Sequence, residues 1–171
     1  MTMILTNIIV MQATPRSILF VCLGNICRSP AAENTLRHLA TERGCADQLV
    51  IDSAGTINYH KGKGPDPRMC ETLETRGIPT QGSARQVIAS DFEKFDLILA
   101  ADHSNLDDLR RHPGAKGHEL KIQLICDYCT DSSAQEVPDP YYGGQEGFEK
   151  VADLLEDACR GILDNVVLTD Q

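Results

Sequence analysis

The stretch Ile18-Leu19-Phe20-Val21-Cys22-Leu23-Gly24-Asn25-Ile26-Cys27-Arg28-Ser29-Pro30 constrains this chain more than any other. It opens as a short apolar run, breaks at a loop holding Gly24 and Asn25, and restarts at Ser29-Pro30. Serine suits a helix cap, and proline suits the first helical position, where its missing N–H costs nothing. The pattern predicts a buried strand ending at Cys22, a tight loop, and a helix entered at residue 30 with Arg28 at its mouth. The five residues between cysteine and arginine can curl so that their N–H groups converge on one concavity, an anion-binding nest. Those amides, the positive end of the helix and the Arg28 guanidinium all favour a thiolate at Cys22. The same amides can hold three oxygens of a phosphoryl group, while the planar fork of arginine grips two at once. Cys-x5-Arg alone recurs by chance, as a buried free cysteine near a helix-terminal arginine. The apolar strand, Gly24, Asn25 and Ser29-Pro30 turn the balance toward a phosphate loop with its own nucleophile.

Val21-Cys22-Leu23-Gly24-Asn25-Ile26-Cys27-Arg28-Ser29-Pro30 resembles the signature of the low-molecular-weight protein tyrosine phosphatases. The resemblance extends from residue 17 to the final helix. It implies an enzyme without metal or cofactor that hydrolyses phosphotyrosine in proteins, and small aryl phosphates, through a phosphocysteine. Cys22 then corresponds to the nucleophile and Arg28 to the phosphate clamp. Leu23, Gly24, Asn25, Ile26, Cys27 and Ser29 form the phosphate-binding loop, with Ser29 bonded to the Cys22 sulfur. Ser53 matches a serine that hydrogen-bonds the loop asparagine, although from the residues alone it reads equally as a strand-end serine bonding its own backbone. Tyr59 matches an aromatic wall of the cleft; an exposed loop tyrosine without a role is the competing reading. Where this chain has Gly82, many members carry a histidine that braces the phosphate loop. Cys27 corresponds to a cysteine that forms a reversible disulfide with the nucleophile under oxidation.

Val137-Pro138-Asp139-Pro140-Tyr141-Tyr142 carries the second piece of chemistry. Prolines on both sides of Asp139 deny it a helix or central strand and stiffen the loop presenting it, as a general acid requires. Alone this reads as an Asp-Pro turn; downstream of the Cys-x5-Arg loop it resembles the family's Asp-Pro-Tyr-Tyr motif. Tyr141 and Tyr142 are then cleft walls.

The chain's 171 residues suit one domain, read as 16–168, preceded by a loose extension over residues 1–15. A formal charge of −9 argues against general binding of nucleic acid or anionic membranes, so any basic site must be local. No apolar run is long enough to cross a bilayer. Seven cysteines without a recognisable secretory signal point to reduced thiols in the cytoplasm. Cys126-Asp127-Tyr128-Cys129 has Cys-x2-Cys spacing but no second pair to complete a zinc site, and reads as coincidence. The five histidines show no spacing suited to metal or triad chemistry.

Apolar periodicity predicts helices over residues 30–43, 67–76, 102–111 and 146–166, and strands over 18–22, 49–54, 95–101 and 120–125. Alternation without repeats predicts an α/β fold, an open parallel sheet covered by helices on both faces. The resemblance specifies four strands in a flavodoxin-like, three-layer arrangement, and implies tyrosine-phosphorylated protein substrates and a monomer or weak self-association. Three rivals are weighed. Arsenate reductases use a similar loop but need further redox cysteines, absent from residues 100–109. Protein arginine phosphatases prefer threonine where this loop has Ile26. A phosphate-binding module without turnover is disfavoured by Cys22, Arg28 and Asp139 together, and kept open by Gly82.

Overall fold

A computed structural model describes residues 16–166; the expected extension over 1–15 lies outside the described residues. Strand β1 (Arg16–Cys22) lies between β2 (Leu49–Gly55) and β3 (Leu97–Ala100), and β4 (Ile122–Leu124) completes the order β2-β1-β3-β4. All three pairings are parallel, with Phe20 opposite Ser53 on one side and Leu99 on the other. This is the expected open parallel sheet, and the central strand shows why it forms. Ile18, Leu19, Phe20 and Val21 are all fully buried, as a strand covered on both faces requires.

Alternation along β1 divides the core in two. Ile18, Phe20 and Cys22 face a layer built from α1 (Arg28–Glu42), α2 (Pro67–Thr75) and α5 (Gln145–Val166). Leu19 and Val21 face α3 (Ala89–Lys94) and α4 (His103–Arg111) through Phe92, Leu106 and Leu109. The carboxyl ends of the strands therefore open on one edge, where ligands of such sheets bind.

Several boundaries differ from expectation for identifiable reasons. Helix α1 begins at Arg28 rather than residue 30, and Cys27 at its N-cap makes no side-chain capping bond. Ser29 is thus no cap but lies in the first turn, with its hydroxyl turned to the sheet. The third strand is shorter than 95–101 because Phe95 closes α3 and fills the second core. Asp96 is occupied in holding the start of β1, accepting from Ser17 N at 2.9 Å. The fourth strand loses Leu120, which stands 93% exposed in a turn, and Ile125, which begins another. Helix α3 has no counterpart in the sequence reading. Its signal is Asp91, whose carboxylate accepts from Ile88 N at 2.9 Å across the first turn.

Candidate active site

The loop after β1 turns on Asn25, the one non-glycine residue with positive φ (57°) among those described. Asparagine tolerates this left-handed region better than most residues, and here its side chain is held on every polar atom. Its Nδ2 donates to Ser29 Oγ at 2.8 Å and Ser53 Oγ at 2.9 Å, and its Oδ1 accepts from Arg85 N at 3.0 Å. Ser53 passes its own proton to Glu33 Oε1 at 2.8 Å, and Arg37 holds the other carboxylate oxygen at 2.9 Å. Because Asn25 can only donate through Nδ2, the Ser29 proton is left for an acceptor. The Cys22 sulfur lies 3.0 Å away, closer than Ala54 O at 3.3 Å. Asn25 is thus the branch point of the network, donating on one side through Ser53 toward Glu33 and on the other to Ser29, whose own proton faces the sulfur in a bond suited to a thiolate.

Arg28 is 3% exposed. Its Nη1 donates to Asp102 Oδ2 at 2.6 Å and to Val137 O at 3.0 Å, and its Nη2 lies 3.7 Å from Asp139 Oδ2. Burial works against the guanidinium charge, but Asp102, the Cys22 sulfur and Asp139 more than offset it, and the arginine pKa is raised. Asp139 accepts from Tyr141 N at 3.0 Å. Cys22 and Arg28 form the floor of a cleft of about 340 Å³, with Asp139 at its rim. Ile57, Tyr59, Tyr141 and Tyr142 also line it. Tyr59 and Tyr142 are 76% and 95% exposed. Burial, reinforced by Asp66, pushes the Cys27 thiol well above the ordinary range, so Cys27 stays protonated beside the floor.

A family model described as low molecular weight phosphotyrosine protein phosphatase matches residues 17–170. The pig low molecular weight phosphotyrosine protein phosphatase is 44% identical over 91% of this chain and 98% of its own length. A protein tyrosine phosphatase from Entamoeba histolytica, crystallised with Hepes in its active site, superposes with a TM-score of 0.86 at 41% identity, covering 91% of this chain and 99% of that one. A Drosophila arginine phosphatase also superposes, with a TM-score of 0.79 at 34% identity over 88% of this chain and 97% of that one. The chain belongs to the low molecular weight phosphotyrosine protein phosphatase family.

Around this family's loop, the fold brings together residues far apart in sequence. Cys22, Arg28 and Asp139 share one cleft with Leu23, Gly24, Ile26, Cys27, Tyr59, Tyr141 and Tyr142. Asn25, Ser29 and Ser53 lie beneath it in the bonded chain. Sequence reasoning missed four neighbours. Asp102 was legible only as a helix start, and it does cap α4 by accepting from Asn105 N at 2.8 Å; its second oxygen, on Arg28, left no local signal. Glu33 and Arg37 give only an ordinary helical pair, so the bond to Ser53 is invisible without the fold. His60 lines the cleft, packed so near the phosphate loop that a Cβ on Gly24 would fall 2.8 Å from its Cδ2. Gly82 has φ of 135° with open space where a Cβ would project. In this chain Asn25 is held by Ser53, Ser29 and Arg85 N.

Proposed function

We propose that this protein hydrolyses phosphotyrosine in proteins, and small aryl phosphates, by two displacements at phosphorus. The carrying observation is the buried Cys22–Ser29 pair at 3.0 Å beneath an arginine that also approaches Asp139 at 3.7 Å. In the first step Cys22 thiolate attacks phosphorus and the phosphorus–phenolic oxygen bond breaks. Protonated Asp139 gives its proton to the departing oxygen, while Arg28 and the loop amides stabilise the equatorial oxygens. In the second step water attacks the phosphocysteine, Asp139 takes a proton from it, and the sulfur–phosphorus bond breaks. Ser29 stabilises the departing thiolate. Tyr59, Tyr141 and Tyr142 give the cleft apolar walls suited to an aryl group.

The arginine phosphatase reading has one neighbour in its favour, and Ile26 counts against it. We take the protein as a monomer or weakly self-associating enzyme of the cytoplasm, a reading supported by seven free cysteines. The test is phosphate release from matched phosphotyrosyl and phosphoarginyl peptides in the presence of a chelator. Release from phosphotyrosine, lost in Cys22→Ser and strongly reduced in Asp139→Ala, is the expected result. Preference for phosphoarginine, or phosphate binding without turnover, would replace this reading with the corresponding rival.

A further inference from the structure

Asp139 lies in a loop held on both sides by arginines, only one of which belongs to the floor. Upstream, Arg28 donates to Val137 O at 3.0 Å. Downstream, Arg68 Nη1 donates to Tyr141 O at 3.0 Å, and the N–H of that same tyrosine donates to Asp139 Oδ1 at 3.0 Å. The Arg68 guanidinium also lies over two rings, 5.3 Å from the centre of Tyr141 and 4.7 Å from that of Phe148. Its other end is fixed to Asp66 by a two-pronged contact, Nη2 to Oδ2 at 2.9 Å and Nε to Oδ1 at 3.1 Å. Asp66 is 7% exposed, and its N–H donates to Ile26 O in the phosphate loop at 2.7 Å. One continuous path therefore joins the phosphate loop to the acid: Ile26, Asp66, Arg68, Tyr141, Asp139.

We infer that Arg68 is a positioning residue for the proton donor, setting Asp139 over the leaving oxygen by tying Tyr141 to the wall that carries the phosphate loop. This rests on the phosphatase reading above. Arg68 itself stands outside the cleft lining, so it acts through Asp139 rather than on substrate. The planar fork matters: two nitrogens engage a carboxylate while the third holds a carbonyl, an arrangement that lysine, with one nitrogen, cannot reproduce.

The consequence is selective. A misplaced acid slows the departure of poor leaving groups and scarcely affects good ones, which leave without a proton. The value of kcat/KM reports events through transfer to Cys22, the step in which the acid donates. For Arg68→Met, which keeps an apolar stem against the rings, kcat/KM for phenyl phosphate should fall about ten-fold, within the roughly 10²–10⁴-fold that acid–base catalysis contributes. For an activated dinitrophenyl phosphate it should change by less than about two-fold, and inhibition by inorganic phosphate should be unaltered, because the floor is intact. Placed in an Asp139→Asn background, Arg68→Met should cost nothing further, since two residues acting through one group are not additive. Arg68→Lys should resemble Arg68→Met, and it carries the same comparisons if the methionine variant folds poorly. Equal losses on both substrates, no loss on either, or a full additional loss in the Asp139→Asn background would each overturn the inference. A wild type inactive on both substrates would instead refute the phosphatase reading itself.

Discussion

Asp102→Asn isolates the contact that orients the clamp. Asp102 divides its oxygens between two tasks: Oδ1 accepts from Asn105 N at 2.8 Å to cap α4, and Oδ2 accepts from Arg28 Nη1 at 2.6 Å. Asparagine keeps the shape and the cap, but its amide nitrogen then faces Nη1, donor against donor. The variant loses one hydrogen bond to a charged group, about 1.5–3 kcal/mol, while the weaker bond to Val137 O remains. Arg28 is then free to swing off the equatorial oxygens. If that loss is felt fully in the transition state, kcat/KM should fall about 10- to 150-fold, tenfold for each 1.4 kcal/mol. Removing a carboxylate near the phosphate also relieves repulsion toward the bound dianion, so KM should change less than kcat. The assay is para-nitrophenyl phosphate hydrolysis alongside a circular dichroism melt. Unchanged helix content with kcat/KM within two-fold of wild type would refute the role assigned to Asp102.

Three further outcomes follow from the rest of the fold. Asp157, 5% exposed, pays a burial penalty for ionising that the N–H groups of Thr130, Ser132 and Asp131 and the Thr130 hydroxyl outweigh, holding it at about 2 instead of 3.8. A depressed carboxylate stabilises the fold above its unfolded pKa, so its contribution of about 2 kcal/mol should be complete at neutral pH and vanish between about pH 4 and pH 2. Urea unfolding of wild type and Asp157→Asn should show a gap that closes across that window. Gly161 in α5 brings the helix so close to the turn before residue 129 that a Cβ would lie 1.8 Å from Tyr128 O. Gly161→Ala should therefore cost at least the roughly 3 kcal/mol upper end of overpacking, read as a lowered Tm. Cys27, kept protonated by burial and Asp66, should react with iodoacetamide far more slowly than Cys22 at neutral pH, a ratio that peptide mass spectrometry can follow.

The strand–loop–helix core of this molecule was written locally. Ile18 to Val21 are buried on both faces because every one of them is apolar, and Asn25 sits where an asparagine tolerates positive φ. Asp66-Pro67 and Asp102 were readable as helix starts because capping chemistry acts over a few residues. What eluded the sequence was the second use of the same side chains. Ser29 is a mixed case: its bond to the Cys22 sulfur was implied by the family resemblance, while its reading as a cap fails because α1 begins two residues earlier and puts the serine in the first turn. Asp102 on Arg28, Glu33 on Ser53 and Arg68 on Tyr141 all join segments that only the sheet order brings together. Such contacts have no period and no spacing to read. Gly82 shows the opposite case: the missing histidine was visible and Ser53 was already implied as a partner of Asn25, but not that Arg85 N would hold the Asn25 oxygen.

The most direct test is to catch the covalent intermediate. Wild type and Asp139→Ala should be mixed with an activated aryl phosphate, quenched in denaturant within milliseconds, and digested at neutral pH for mass spectrometry. Phosphate should be found on the peptide carrying Cys22, at higher occupancy in Asp139→Ala, where water activation fails, and absent from Cys22→Ser. Rapid phosphate release with no adduct on Cys22, or an adduct on another residue, would contradict the two-step mechanism at its root.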